Sequence, residues 1–359
     1  MSTITRLDAL DTALYDYALP EERIAQAPLA ERDASRLLHV PPGDAPLEDR
    51  GFRDLPGLLH PDDLLVLNDT RVRAARLRTR SENGGTIEVL VVQALGDGRY
   101  ACLVRPGRRL RPGRTVQFGD GLTATIEGDS PGHPGARLVR FHCSEGGVDD
   151  TIERLGTVPL PPYIHEPLQD SRRYQTVYAQ SPPQSAAAPT AGLHFTPRVL
   201  QALRDKGIRT TTVRLEVGLG TFAPIRSDRV DAHAMHEERF ELPAQAADDI
   251  ARTRAGGGRV VAVGTTAVRT LESCAAGGGL VAPQQGATRL FLRPGSPFQV
   301  VDAMLTNFHA PRSSLVVLVA AFIGTDRWRA AYGHALRGGY RFLSFGDCML
   351  CWRGGSAPR

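Results

Sequence analysis

The sequence predicts an α/β fold, namely a discontinuous main domain into which a small antiparallel β-barrel domain is inserted. Two observations predict the main domain. The apolar run at residues 64–67 ends abruptly in polar residues, and residues 187–222 have the order of a small-residue loop, a helix, a strand and a glycine-rich loop. Ligand contacts in open α/β sheets lie at such strand ends. The third observation, short alternating runs between Val72 and Arg154, predicts the barrel.

The elements before the insert follow from apolar runs and from helix-start residues. Residues 1–14 have the composition of a frayed leader, and Pro20 suits the first turn of a short helix. A strand is predicted at residues 37–40, a small helix at 52–59 and a buried strand at 64–67. The polar residues that end this last strand are either ligand contacts or an ordinary turn.

The insert is predicted over residues 72–154, which leaves residues 1–71 and 155–359 as the discontinuous α/β domain. Its strands are expected at residues 86–92, 100–104, 115–118, 122–126 and 137–142, with Gly, Pro and Asp between them. One predicted hairpin carries five arginines: Arg105, Arg108, Arg109, Arg111 and Arg114. Such a cluster either binds phosphate groups or is a solvated loop.

After the insert, apolar periodicity and turn residues define the remaining elements. Helices are predicted at residues 197–207, at 244–255 and from Gly264 onward, the first because its apolar residues recur at helical spacing before Gly207. Strands are predicted at residues 208–217, 259–263, 290–292 and 299–301, and within 340–350. The apolar run at residues 315–323 is too short to cross a bilayer.

Composition is that of a folded protein with a mildly basic surface. The 359 residues suit two domains of ordinary size, and a net charge of +4 permits contact with nucleic acid without requiring it. The five cysteines are scattered and odd in number, and the N-terminus lacks the pattern of a signal peptide. We therefore expect a cytoplasmic protein with reduced thiols.

A series of motifs, in one order, resembles the S-adenosylmethionine:tRNA ribosyltransferase-isomerases of the queuosine pathway. The resemblance extends from about residue 15 to about residue 350. The matching segments are residues 15–20, 24–26, 32–36, 68–71, 159–164, 173–178, 187–195, 217–222, 235–238, 263–269, 306–309, 340–342 and 346–347.

The resemblance implies a fold and a reaction. The fold is an α/β domain with an inserted β-barrel. The reaction transfers and isomerises the ribosyl portion of S-adenosylmethionine onto 7-aminomethyl-7-deazaguanine at the tRNA wobble position, giving epoxyqueuosine-tRNA, adenine and methionine. S-adenosylmethionine is then a substrate, no metal or other cofactor is needed, and the partner is tRNA. We expect a monomer.

This chemistry needs a base to remove a proton beside the sulfonium and an acid to assist the departure of adenine. Candidates for these roles within the matching motifs are His194, Asp69, His236, His309 and Asp347. Their assignment as acid or base stays open. The candidates for substrate binding are Asn68, Thr70, Arg71, Pro189, Thr190, Gly192, Phe195, Gly218, Gly220, Thr221, Phe222, Glu238, Gly264, Thr265, Thr266, Arg269 and Asn307.

Three other functions remain as alternatives. A metal hydrolase would use His194, His233, His236 and His309, although these lack a known ligand spacing. A non-catalytic tRNA-binding protein would explain the arginine cluster but not the glycine-rich loops. A related enzyme with another acceptor is the third, because Glu216 stands where the family usually has histidine.

Overall fold

The computed structural model describes residues 8–81, 83–133, 135–180, 182–218, 224–276 and 279–354, which divide into two compact units. Unit 1 comprises Met1–Thr70, Pro161–Ser181 and Pro189–Arg359, and unit 2 comprises Arg71–Leu160 and Pro182–Ala188. The insert was predicted to end at residue 154. The grouping of a second, later segment with unit 2 was not anticipated from the sequence.

The described strands are defined here in chain order. They are β1 (Arg36–Val40), β2 (Glu48–Gly51), β3 (Leu64–Asn68), β4 (Arg71–Val72), β5 (Arg76–Arg80), β6 (Thr86–Gly96), β7 (Arg99–Arg105), β8 (Thr115–Gln117), β9 (Leu122–Asp129), β10 (Arg137–Cys143), β11 (Pro183–Ser185), β12 (Arg209–Leu215), β13 (Glu238–Leu242), β14 (Val260–Val263), β15 (Ala275–Ala276), β16 (Leu280–Val281), β17 (Gln284–Thr288), β18 (Ala303–Asn307) and β19 (Cys348–Trp352).

The described helices include short 3-10 segments, several of which carry site residues. The α-helices are α1 (Leu55–Leu58), α2 (Val148–Leu155), α3 (Pro197–Asp205), α4 (Ala244–Ala255), α5 (Gly264–Ser273), α6 (Ser314–Ile323) and α7 (Thr325–Arg337). The 3-10 helices are Thr12–Tyr15, Glu21–Arg23, Arg32–Ala34, Phe52–Asp54, Ser171–Tyr174, Thr190–His194 and Val230–Ala232.

Unit 1 is built on a mixed sheet with the strand order β17-β13-β12-β3-β14-β18-β19-β1-β2. The four strands β12, β3, β14 and β18 run parallel to one another in its centre. Their carboxyl ends therefore meet at one edge, which we call the carboxyl edge. The segments beginning at Asp69, Glu216, Gly264 and Phe308 leave the sheet there.

Helix α3 shows how local sequence sets an element. The Thr196 side chain accepts the Val199 backbone N–H at 3.3 Å, and Pro197 occupies the first turn, where its missing N–H costs nothing. Its buried face, Val199 and Leu203, joins Leu65, Phe195 and other residues in a core cluster beneath the carboxyl edge. This packing fixes the Thr190–His194 turn that precedes the helix.

Helix α6 is apolar around almost its whole circumference because it is buried. The Ser313 side chain caps it by accepting the Val316 N–H at 3.2 Å. No helix among the described residues is long and apolar enough to span a membrane.

The α/β class is confirmed, and most predicted elements are present. The helix predicted at residues 244–255 is α4, and the strands predicted at 64–67, 208–217 and 259–263 are β3, β12 and β14. The strands predicted at residues 290–292 and 299–301 are wrong, because both segments are loops. The Glu272 carboxylate accepts the N–H groups of Gln299, Val300 and Val301 at 2.8–3.0 Å, so these amides are bonded without a neighbouring strand.

Unit 2 contains a six-stranded antiparallel, barrel-like sheet with the order β5-β6-β7-β10-β9-β8. All five strands predicted for the insert are present, and β5 was not predicted. The segment with five arginines is not a hairpin, because β7 and β8 do not pair; it crosses from one to the other over β10 and β9. Leu110 is buried and anchors this segment, whereas its arginines are exposed: Arg105, Arg108, Arg109, Arg111 and Arg114.

Candidate functional site

Three cavities of unit 1 adjoin one another through shared lining residues. The central cavity, about 400 Å³, is lined by Thr190, Asn307 and His309. It shares Leu315 with the histidine cavity, about 420 Å³, and Ser344 with the arginine cavity, about 290 Å³. The run of cavities brings together predicted site residues that are far apart in the sequence.

The Thr190–His194 turn forms the wall between the central and arginine cavities. Pro189, which is buried, precedes its first residue. The Thr190 hydroxyl donates to Asn307 Oδ1 at 2.9 Å. Gly192 is required by packing, because a Cβ there would overlap Tyr178 Oη and lie 2.8 Å from Thr176 Cγ2.

His194 is buried between the turn and the first strand of the chain. Its Nε2 lies 3.2 Å from Asn307 Nδ2, and its Nδ1 lies 2.8 Å from Ser35 Oγ. The Asn307 amide is a donor, so Nε2 accepts and Nδ1 carries the proton. Burial, together with the charges of Arg341 and Arg32, lowers the pKa of His194 to about 3. His194 is therefore neutral with both nitrogens engaged.

Asn307, at the end of β18, lines the central cavity and contacts His194, which lines the arginine cavity. Its Nδ2 also approaches the Leu343 carbonyl at 3.3 Å and the Asp347 carbonyl at 3.5 Å. With Thr190 on Oδ1, the amide is held in one orientation. This network fixes the position of His194 relative to the central cavity.

His309 lies two residues beyond Asn307 and lines the central cavity. Its Nε2 is 2.8 Å from Thr306 Oγ1, and its backbone N–H donates to the Tyr332 hydroxyl at 3.0 Å. Burial lowers the pKa of His309 to about 3. A neutral imidazole therefore faces the cavity at neutral pH.

The histidine cavity contains a buried ion pair between Glu238 and Arg269. Glu238 Oε1 accepts the Gly218 N–H at 3.1 Å, which ties the loop after β12 to β13. Burial lowers the pKa of Arg269 to about 10, and its Nε donates to the Leu290 carbonyl at 3.1 Å. The ion pair and its backbone partners hold this wall of the cavity in one arrangement and place charged groups beside the cavity.

Two further histidines line the same cavity. His233 is half-buried against Phe291, with ring centroids 5.6 Å apart, and burial and the neighbouring His236 lower its pKa. His236 is exposed. The remaining wall is formed by Ser314 and by the apolar residues Met235, Leu290, Phe291, Leu292, Leu315 and Leu318.

The polar residues after β3 lie in a separate network. Asn68 Nδ2 donates to the Leu215 carbonyl at 3.1 Å, and Asn68 Oδ1 accepts the Leu215 N–H at 3.2 Å and the Thr70 hydroxyl. Asn68 and Thr70 thus join β3 to the end of β12. Asp69 is buried, with Oδ1 3.4 Å from Arg214 Nε, and burial raises the pKa of its carboxyl.

Other predicted residues have packing or anchoring environments. Asp347 is buried, and its two carboxylate oxygens accept the backbone N–H groups of Arg36 and Arg341 at 2.9 and 2.8 Å. Phe195 is fully buried and packs edge-on against Phe52 at 5.0 Å. Arg71 belongs to unit 2 and is exposed.

The first turn of α5 is also at the carboxyl edge, but it does not line the three cavities. Gly264 has φ of +87°, and a Cβ there would lie 3.6 Å from Ala191 Cβ. Thr265 is buried, and Thr266 is half-buried. The predicted binding residues Gly220, Thr221 and Phe222 lie outside the described residues.

Sequence reasoning missed the residues of the arginine cavity. Arg32, Arg173 and Arg341 line it together with Ser35 and His194. All three arginines occur in segments that match the family motifs, and this was the available signal. They are distant in sequence, so their convergence could not be inferred.

The histidines proposed for a metal hydrolase do not form one cluster. His194 lines the arginine cavity, His309 the central cavity, and His233 and His236 the histidine cavity. Over the ranges that the structure describes, no three His, Cys, Asp or Glu residues are grouped as metal ligands would be.

Comparison with known proteins gives a consistent result. A family model described as "Queuosine biosynthesis protein" matches residues 12–351. A relative from Heliobacterium modesticaldum is 50% identical over 345 residues, covering 95% of this chain and 99% of the relative. A relative from Pelotomaculum thermopropionicum is 49% identical over 337 residues, covering 94% and 98%. Both are named S-adenosylmethionine:tRNA ribosyltransferase-isomerase.

A solved structure is also similar. The crystal structure of an S-adenosylmethionine tRNA ribosyltransferase from Thermotoga maritima matches with a TM-score of 0.54 and 37% sequence identity. The match covers 94% of this chain and 99% of that chain. The similarity therefore includes the segments that form both units.

Proposed function

The chain belongs to the queuosine biosynthesis family and is an S-adenosylmethionine:tRNA ribosyltransferase-isomerase, and we propose that the central and histidine cavities together bind S-adenosylmethionine. The observation that carries this proposal is the convergence of Thr190, Asn307, His309, Glu238 and Arg269 on two adjoining cavities. A cavity with an apolar wall and a few convergent polar groups is typical of small-molecule sites.

The two cavities suit different parts of the substrate. The apolar wall formed by Met235, Phe291 and Leu292 suits the adenine base. The hydroxyl, amide and imidazole groups of Thr190, Asn307 and His309 suit the ribose. In this arrangement the ribose carbon beside the sulfonium lies near His309.

We assign His309 as the base that removes the proton beside the sulfonium. Its low pKa keeps it unprotonated at neutral pH, which is the state that a base requires. When Nε2 donates to Thr306, Nδ1 bears the free lone pair. The bound substrate adds a positive sulfonium that acidifies the adjacent C–H bond, so a weakly basic imidazole can serve.

His194 has another role in this proposal. Because Asn307 and Ser35 engage both of its nitrogens, it holds Asn307 in place and does not exchange a proton with substrate. The departure of adenine is assisted by His236, an exposed histidine on the wall of the histidine cavity. Because the sulfonium is its own electron sink, we propose that no metal or other cofactor takes part.

The acceptor is 7-aminomethyl-7-deazaguanine in tRNA, and the products are epoxyqueuosine-tRNA, adenine and methionine. We propose that the protein acts as a monomer in the cytoplasm, where tRNA is found. The five cysteines are free thiols, in keeping with a reducing compartment. Sedimentation of the purified protein with and without tRNA tests the monomer.

The decisive experiment incubates the purified protein with S-adenosylmethionine and tRNA bearing 7-aminomethyl-7-deazaguanine, followed by nucleoside mass analysis. We expect epoxyqueuosine and free adenine. His309→Ala should lower kcat by about 10²- to 10⁴-fold, the usual contribution of a general base. His60→Ala, at an exposed position of unit 1, is the matched control and should leave kcat unchanged. A near-normal rate for His309→Ala would remove His309 from this role.

A further inference from the structure

The arginine cavity has no part in the reaction as assigned above, although its walls are built from matching motifs. Its charged lining consists of Arg32, Arg173 and Arg341. Among the described residues, no acidic side chain lines it. The cavity therefore concentrates positive charge beside His194.

Two of these arginines are held by backbone carbonyls and not by carboxylates. Arg32 donates to the Leu193 carbonyl at 3.3 Å and to the Arg172 carbonyl at 2.8 Å. Arg173 donates to the Ala30 carbonyl at 3.2 Å and to the Leu29 carbonyl. Neither guanidinium has a carboxylate of a described residue within 4 Å, although Asp170 is near enough to interact electrostatically with both.

Arg173 also has a buried donor, its Nε, that lacks an acceptor among the described residues. An unsatisfied buried donor on a charged group costs free energy, which a bound anion would recover. Burial and the charge of Arg173 lower the pKa of Arg32, in agreement with two like charges held close together.

The third arginine completes the cluster from the opposite end of the chain. Arg341 Nη2 lies 3.7 Å from Asp347 Oδ1, but that carboxylate is buried and already accepts two backbone N–H groups. Arg341 and Arg32 both lower the pKa of His194, so their charges act on the interior of the cavity. Three guanidinium groups thus surround one small cleft.

We propose that Arg32, Arg173 and Arg341 bind one phosphate group of the tRNA backbone in the arginine cavity. Arginine suits this ligand because its planar N–H groups match phosphate oxygens. The other anion of the reaction is the carboxylate of S-adenosylmethionine, which carries an α-ammonium group beside it. A cavity without an acidic lining offers that ammonium no partner, so the phosphodiester is favoured.

This inference rests on the proposed function for its ligand, and it has a consequence for the site. A phosphate in the cavity neutralises charge next to His194, whose ring supports Asn307 in the central cavity. Binding of tRNA would then change the electrostatic environment of the ribose-binding residues. The arginine cavity makes a specific phosphate contact that positions the acceptor nucleotide near the transferred ribosyl group.

The test measures tRNA affinity by fluorescence anisotropy between 50 and 300 mM salt, with the KM for S-adenosylmethionine as the second measurement. Arg173→Gln and Arg341→Gln should each weaken tRNA binding about tenfold and make the salt slope less steep by up to about 0.9, the value for one phosphate contact. The KM for S-adenosylmethionine should not change. Arg172→Gln is the matched control, because Arg172 is exposed, pairs with Asp170 and does not line the cavity.

Two outcomes would overturn the proposal. A raised KM for S-adenosylmethionine with unchanged tRNA affinity would assign the cavity to the carboxylate. Unchanged values for both ligands in folded variants would leave the cavity without a ligand. Turnover by the unaltered protein tests the proposed function separately, because its absence would not depend on these variants.

A measurement on the unaltered protein covers variants that fail to fold. Inorganic phosphate, added to protein labelled with ¹⁵N in histidine, should shift the ring signals of His194 and compete with tRNA. His60, on the surface, should not respond beyond a general salt effect. An unchanged His194 signal at phosphate concentrations that displace tRNA would contradict the site.

Discussion

His194 and His309 are neutral, buried histidines, and both should make the free energy of unfolding depend on pH. Their pKa of about 3 in the folded protein lies below the ordinary value of 6.5. Between these values the unfolded chain binds protons that the folded chain refuses. The contribution of these two histidines to the free energy of unfolding is therefore fully present above pH 6.5 and is lost as the pH falls toward 3.

A histidine variant isolates this effect from other acid-sensitive groups. His194→Gln removes one such group, so the plot of unfolding free energy against pH should be less steep between pH 6.5 and 4. The change is expected to reach about 1.4 kcal/mol per pH unit. Urea unfolding at several pH values measures it, with His60→Gln as the exposed control. Parallel plots for the variant and the unaltered protein would show that His194 is not excluded from protonation.

At this scale the sequence identified residue types better than their functions. The motif match contained Asn307, His309, Glu238 and Arg269, which line the cavities. The motif match also contained Asp347, whose carboxylate accepts backbone N–H groups. The sequence alone does not distinguish such an aspartate from one that faces a substrate. Hydrogen-bond partners distinguish these cases, and they depend on the fold.

Among the elements, the Thr190–His194 turn leaves no room for a side chain at Gly192. Gly192 lies so close to the Tyr178 hydroxyl that any side chain at position 192 must displace Tyr178. Gly192→Ala should lower stability by about 1–3 kcal/mol, as overpacking usually does, and should reduce activity by moving Thr190 and His194. Thermal unfolding and turnover measure the two effects.

A matched glycine and a compensating change define this prediction. Gly57 lies in α1 with nothing within 4 Å of a Cβ position, so Gly57→Ala should be neutral or slightly stabilising. Adding Tyr178→Phe to Gly192→Ala removes the overlapping hydroxyl and should restore part of the stability. No recovery in the double variant would place the strain elsewhere.

Elements with strong periodicity were predictable, whereas two short apolar segments were not. Leu292, Val300 and Val301 are buried, as expected for strand residues. Their segments are nevertheless loops, because side chains satisfy the backbone: Glu272 binds three amides, and Arg269 binds the Leu290 carbonyl. Burial can be inferred from composition, but the source of each backbone hydrogen bond requires the tertiary fold.

For the whole molecule, the exposed arginines of unit 2 predict a second, less specific contact with tRNA. Arg108 and Arg109 are exposed and have no ion pair with a described residue. The double variant Arg108→Gln and Arg109→Gln should raise the KM for tRNA and make its salt dependence less steep, with kcat unchanged. Kinetics at several salt concentrations measure this.

The control for this loop uses two arginines of unit 2 that pair with carboxylates. Arg78 pairs with Glu88, and Arg140 pairs with Glu127, at 2.9 and 2.6 Å. Arg78→Gln with Arg140→Gln removes the same charge from unit 2 and should change the salt slope less. Equal effects of the two double variants would mean that only net charge matters.

The α/β class and the order of its elements were predictable from the whole sequence because hydrophobic periodicity is local. The convergence of the site was not. His194 contacts Ser35 and Asn307, which belong to opposite parts of the chain. Only the sheet order, with β1 beside β19 and β19 beside β18, brings these segments together.

The pairing of β1 with β19 also governs how the protein is made. As the chain leaves the ribosome, β1 emerges long before its partner β19. The strands of unit 2 are complete well before that point, so this unit can fold during synthesis. Until β19 arrives, β18 and β1 each present an unpaired edge on which other chains can add. The exposure of these two edges therefore ends only when β19 pairs with both strands.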